Sequence, residues 1–61
     1  MNKQEAMIEV TRINPNCIAI AATNGDGTKP WVNTEFKVFY EGCPKPRRYE
    51  LRQDGLLWLQ P

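Results

Sequence analysis

Between residues 7 and 13 the side chains alternate, Ile8, Val10 and Arg12 on one side and Glu9, Thr11 and Ile13 on the other. A period of two carried by β-branched residues predicts a strand over 7–13. A second pattern competes for the same stretch. Asn2 is a good helix cap with Glu5 three positions on, and Ala6, Met7 and Val10 share one helical face, so a short N-terminal helix is the alternative. Ile8, Val10, Thr11 and Ile13 weigh against its continuing, because β-branched side chains lose freedom in a helix.

Asn14-Pro15-Asn16 predicts a turn, since proline fixes φ and removes a donor while asparagine bonds locally. Residues 17–23 then return as a second strand. A three-residue loop sets Val10 opposite Ile20, Ile8 opposite Ala22 and Arg12 opposite Ile18, which gathers one largely apolar face. A two-residue loop sets Val10 opposite Ala21 and Arg12 opposite Ala19, a poorer core. Residues 23–30 are dense in turn formers and read as an exposed loop. Residues 31–40 form a long extended segment, with Phe36, Val38 and Tyr40 facing one way and Glu35, Lys37 and Phe39 the other, the best candidate for a central strand.

Gly42, Pro44 and Pro46 make residues 41–48 a stiff loop. The strongest local signal follows, two short runs joined by Asp54-Gly55, a dipeptide suited to the positive φ values of a type I′ hairpin turn. Such a turn pairs Gln53 with Leu56, Arg52 with Leu57, Leu51 with Trp58 and Glu50 with Leu59. Tyr49, Leu51, Leu56 and Trp58 then share one face, and Leu57 and Leu59 lie beside Glu50 and Arg52 on the other. The fold expected is all-β, a small antiparallel meander or partly open SH3-like or OB-like barrel of about five strands in a single domain spanning residues 1–61.

Composition narrows what such a domain can do. Apolar and charged fractions of 41% and 25% are ordinary for a globular chain. A chain of 61 residues has little core to draw on, because a domain of this size buries only about 60% of its unfolded surface. A homo-oligomer is therefore expected. The longest apolar runs, 18–22 and 56–59, fall far short of the roughly 20 residues that span a bilayer. Residues 1–5 lack the basic and apolar blocks of a secretory signal, so the expected location is cytoplasmic and the chain reads as complete from its initiating Met. Cys17 and Cys43 are expected to remain thiols in that setting rather than pair.

The sequence contains neither His nor Ser, which removes the commonest general base, the commonest metal ligand and the serine triads. No enzyme activity is expected. Asn24, Asp26, Thr28 and Glu35 fall at an EF-hand-like spacing, but Lys29 stands where that loop requires glycine and Pro30 where its exiting helix should start. A hairpin loop accounts for the same residues, and no metal or cofactor is expected. Glu35, Glu41 and Glu50 read as surface carboxylates.

Two surfaces remain as candidates for binding. The C-terminal strand is apolar on both faces, as when one face meets the core and the other a partner. It predicts a non-catalytic protein–protein interaction module, an adaptor or inhibitor of a larger protein, with Trp31, Leu57, Trp58 and Leu59 in contact. The alternative is a small nucleic-acid-binding barrel. Lys45, Arg47, Arg48 and Arg52 with Tyr49 combine cations and a stacking ring. The net charge of +1 is low for a dedicated nucleic-acid domain and excludes an acidic DNA mimic.

Overall fold

The computed structural model describes residues 1–23 and 34–61. The first element is an α-helix, α1 (Lys3–Ile13), which corrects the strand expected over 7–13. Its start is a complete capping box. The Asn2 side chain accepts from the Glu5 N–H at 2.9 Å, and the Glu5 carboxylate accepts from the Asn2 N–H at 3.1 Å. A cap of this kind is worth about 1 kcal/mol. A helix this short is marginal alone, so tertiary packing decides the outcome. Ala6 and Val10, one turn apart, are fully buried against Phe36, Val38 and Tyr49, and this outweighs the few tenths of a kcal/mol that each β-branched residue costs. Pro15 stops the helix by holding Asn14 outside the α region, at φ −129° and ψ 61°. The expected turn is present, closed by the Cys17 N–H donating to the Asn14 carbonyl at 3.2 Å.

With α1 helical, the pairing of Val10 with Ile20 does not form, and the described residues make four strands where about five were expected. These are β1 (Ala19–Thr23), β2 (Thr34–Phe39), β3 (Arg47–Leu51) and β4 (Leu57–Leu59), an antiparallel meander in the order β1-β2-β3-β4. The molecule is small and mostly β, as expected, but the sheet is open and no barrel closes. Residues needed for a fifth strand are spent on a helix that covers one face.

Register defines two faces. Ala22, Phe36, Tyr49 and Leu59 lie in one cross-strand row, flanked by the rows Ile20–Val38–Arg47 and Thr34–Leu51–Leu57. This face meets α1, and Phe36 and Val38 are fully buried in it with Tyr40 packed at its margin. Phe36, Val38 and Tyr40 thus share a side, and β2 is central as expected, although residues 31–33 of the expected strand lie outside the described residues. The opposite face carries Ala19, Ala21, Glu35, Lys37, Phe39, Arg48, Glu50 and Trp58, and no described element covers it.

The β3–β4 hairpin forms where expected, in a different register. Leu51 pairs with Leu57, Glu50 with Trp58 and Tyr49 with Leu59. Only Gly55 has positive φ, +78°, so Asp54 does not adopt the conformation a type I′ turn requires. Instead the Gly55 N–H donates to Arg52 O at 2.9 Å and the Arg52 N–H to Leu56 O at 3.0 Å, a type I turn followed by a left-handed glycine. The Asp54 carboxylate holds this shape by accepting from the Leu56 N–H at 2.9 Å. A one-residue slip turns every side chain over. Leu57 and Leu59 therefore lie on the helix side with Tyr49 and Leu51, and Trp58 lies on the uncovered face opposite Glu50, not opposite Leu51.

One polar residue joins helix to sheet. Asn14, 1% exposed, donates to the Val10 carbonyl at 2.9 Å and the Tyr49 hydroxyl at 3.2 Å. Its side-chain oxygen accepts from the Tyr40 hydroxyl and from Arg47 Nη1 at 3.4 Å.

Two stability measurements follow. Asn14→Ala strands several partners in a closed environment and should lower unfolding free energy by about 1–3 kcal/mol in urea titration. Gly55→Ala forces a Cβ into the left-handed region and to 3.0 Å from the Met1 nitrogen, and should destabilise by about 1–2 kcal/mol.

Candidate functional site

Two concavities flank β4. One is an apolar groove of about 480 Å³ between α1 and β4, lined by Met1, Glu9, Ile13, Tyr49 and the run Leu56, Leu57, Trp58 and Leu59. It exists because α1 sits over β2 and β3 and stops short of the sheet edge. Leu59 on the helix-side face is consequently 60% exposed. The neighbouring Met1, Ile13 and Leu56 are also exposed, so the apolar positions form one continuous strip and not scattered single residues.

The backbone of this edge matters as much as its side chains. The Arg52 N–H reaches Leu56 O and the Gln60 N–H reaches Arg48 O at 2.8 Å. In an antiparallel ladder the bonded pairs alternate, so Leu56, Trp58 and Gln60 turn their backbone groups toward β3. Leu57 and Leu59 turn theirs away from the sheet, where no described residue meets them. Trp58, 42% exposed, lies on the uncovered face with Arg52 stacked 4.4 Å from its ring centre. Arg52 also pairs with Glu50 at 2.9 Å.

The second concavity is an open cleft of about 540 Å³ lined by Lys37, Lys45, Pro46, Arg47, Arg48, Gln60 and Pro61. Four of these are cations and none is Asp or Glu. Lys37 and Arg48 are direct cross-strand partners on the uncovered face. Arg48 Nη2 donates to Pro61 O at 3.3 Å. Arg47 is oriented by Asn14 and by Tyr40, whose ring centre is 5.9 Å away. Its pKa is raised, chiefly by the hydrogen bond to the Tyr49 side chain.

The structure thus brings Leu57, Trp58 and Leu59 together on one edge, with Trp58 on the opposite side of the sheet from the two leucines. Trp31 lies outside the described residues. Of the basic set, Lys45, Arg47 and Arg48 share the cleft. Tyr49 is 6% exposed with its hydroxyl bonded to Asn14, and Arg52 lies over Trp58. Lys37 and Gln60 join the cleft through strand register alone, and Met1 and Ile13 join the groove through the helix; neither grouping has a local signal in the chain.

Asn24, Asp26 and Thr28 also fall outside the described residues, and Glu35 sits on β2 across from Glu50. Among the described residues no three or more His, Cys, Asp or Glu side chains gather to hold a metal ion. Cys17 and Cys43 are free thiols, the first half-buried and the second exposed. No described helix is long and apolar enough to cross a membrane. What both concavities offer chemically is contact: an apolar strand edge and a cationic cleft. Comparison of the chain with protein families, curated proteins and solved structures finds no match.

Glu9, on the groove rim, bonds Arg12 Nε at 3.0 Å, and this holds its pKa below the ordinary carboxylate value. A depressed pKa stabilises the folded state above the unfolded value and loses that effect as pH falls through the folded one. Carboxyl NMR should therefore show Glu9 titrating below the ordinary glutamate value, and Arg12→Ala should abolish the difference.

Proposed function

We propose that the protein is a non-catalytic protein–protein interaction module whose immediate partner is a second copy of itself, joined edge to edge through β4. The observation that carries this reading is the self-complementary edge. Leu57 and Leu59 present outward N–H and C=O groups placed symmetrically about Trp58. If a second β4 runs antiparallel with Trp58 opposite Trp58, each Leu57 meets a Leu59 across the seam as a fully bonded pair. The same step brings leucines together on the helix side, extends the apolar groove across the two-fold axis, and sets the two indoles side by side on the other face.

Charge and size support the same arrangement. Leu57, Trp58 and Leu59 include no ionisable side chain, so the edge lacks the lysine or glutamate with which monomeric sheets discourage pairing. An isologous contact closes on itself and gives a discrete dimer. Among the described residues, Ala6, Val10, Phe36, Val38 and Tyr49 form the buried apolar core, and so small an interior gains from burying Leu59 and Leu56 against a partner. A dimer of this kind presents its remaining surfaces in pairs, as an adaptor or inhibitor of a larger protein requires.

Sedimentation equilibrium tests the reading. At about 100 μM, above an interface Kd of about 1 μM, the protein should sediment at twice its 7.1 kDa chain mass. Leu59→Pro removes only an outward-facing N–H, a substitution edge strands accept, and should yield a folded monomer by circular dichroism and sedimentation. A wild-type monomer at that concentration, or an undiminished Leu59→Pro dimer, overturns it.

A further inference from the structure

We infer that the cleft formed by Lys37, Lys45, Arg47, Arg48 and Gln60 is a binding site for the phosphate backbone of a single-stranded nucleic acid. This site is separate from the β4 edge contact and does not depend on it. The first ground is the Lys37–Arg48 pair. Like charges placed directly opposite on neighbouring strands repel and lower stability, yet here they face each other with Lys45 close by and no Asp or Glu among the residues lining the cleft. A polyanion resting between them reverses the sign of that interaction.

The second ground is an unmet donor. Gln60 lines the same cleft, and its side-chain Nε2 is buried with no hydrogen-bond partner among the described residues. Buried polar groups left unpaired are uncommon. An anion oxygen seated between the cations supplies an acceptor next to this amide after a small side-chain rotation. Arg48 is positioned in advance by the Pro61 oxygen it bonds, which reduces what must be ordered on binding.

The choice of single strand over duplex comes from the face on which Lys37 and Arg48 stand. The Phe39 ring lies on that same uncovered face, partly exposed and away from the β4 edge. Unpaired bases can splay from a backbone held in the cleft and stack on such a ring, which a closed duplex cannot do. The low overall charge of +1 means that attraction acts at short range within the cleft and not through a long-range field.

The test is fluorescence anisotropy with a labelled oligothymidine of roughly 12 nucleotides, beside a duplex of equal length and anionic vesicles containing phosphatidylserine. Three to four phosphate contacts should give a log K against log salt slope of about −2 to −3. Lys37→Ala and Arg48→Ala should each weaken binding about tenfold and flatten the slope by roughly 0.7. Each should leave the melting temperature unchanged or raised, because the cross-strand repulsion is gone. Lys3→Ala, an equal charge change on α1, should leave binding as it was. No saturable oligothymidine binding at low salt overturns the proposal. So does an equal loss with Lys3→Ala, duplex binding as tight as single-strand binding, or vesicle binding without oligonucleotide binding.

Discussion

The hydrogen bonds of Asn14 are the constraint on which the rest of the molecule depends. A single buried amide bonds the last turn of α1, the end of β2 through Tyr40, and β3 through Tyr49 and Arg47. Apolar packing alone would let an eleven-residue helix slide or rotate over a sheet, because dispersion contacts are weakly directional. A planar amide with donors on one end and an acceptor on the other permits one placement. That placement puts Ala6 and Val10 over Phe36, leaves β4 uncovered, and holds the Arg47 guanidinium on the helix side. The fold and the candidate β4 edge therefore share one determinant.

Legibility in the sequence followed the range of the interactions involved. The turn at Pro15, the central position of β2 and the β3–β4 hairpin depend on neighbouring residues and could be read directly. Residues 7–13 could not be settled locally, because Ile8, Val10, Thr11 and Ile13 suit a strand while Asn2, Glu5, Ala6 and Val10 suit a helix. The balance is tipped by Phe36 and Tyr49, which lie far along the chain. The Asp54-Gly55 hairpin shows a subtler failure. Its place was legible, but the Asp54 carboxylate bonds the Leu56 N–H and selects a turn other than the expected type I′, and one residue of register exchanges the faces of Trp58 and its leucine neighbours.

The same argument explains which site residues stood out. Arg47 and Arg48 are adjacent in sequence and conspicuous; Lys37 and Gln60 join them only because β2 and β4 flank β3. Tyr49 looked like a stacking surface beside two arginines, but on an alternating strand it points to the helix, where its hydroxyl is occupied. Asn14 read as a turn former, and nothing near it in the chain reveals that its side chain faces inward.

The placement of α1 also bears on how the chain acquires its structure during synthesis. The helix emerges from the ribosome before the strands, and the groups that hold it, Tyr40, Arg47 and Tyr49, are separated from Asn14 by 26 to 35 residues. An isolated helix of this length is marginal in water. The three-strand meander through β3 pairs strands that are neighbours in sequence and can assemble as soon as it is made. The helix is thus translated before the strands that fix it, and until Tyr49 appears its apolar residues are available to whatever else is nearby.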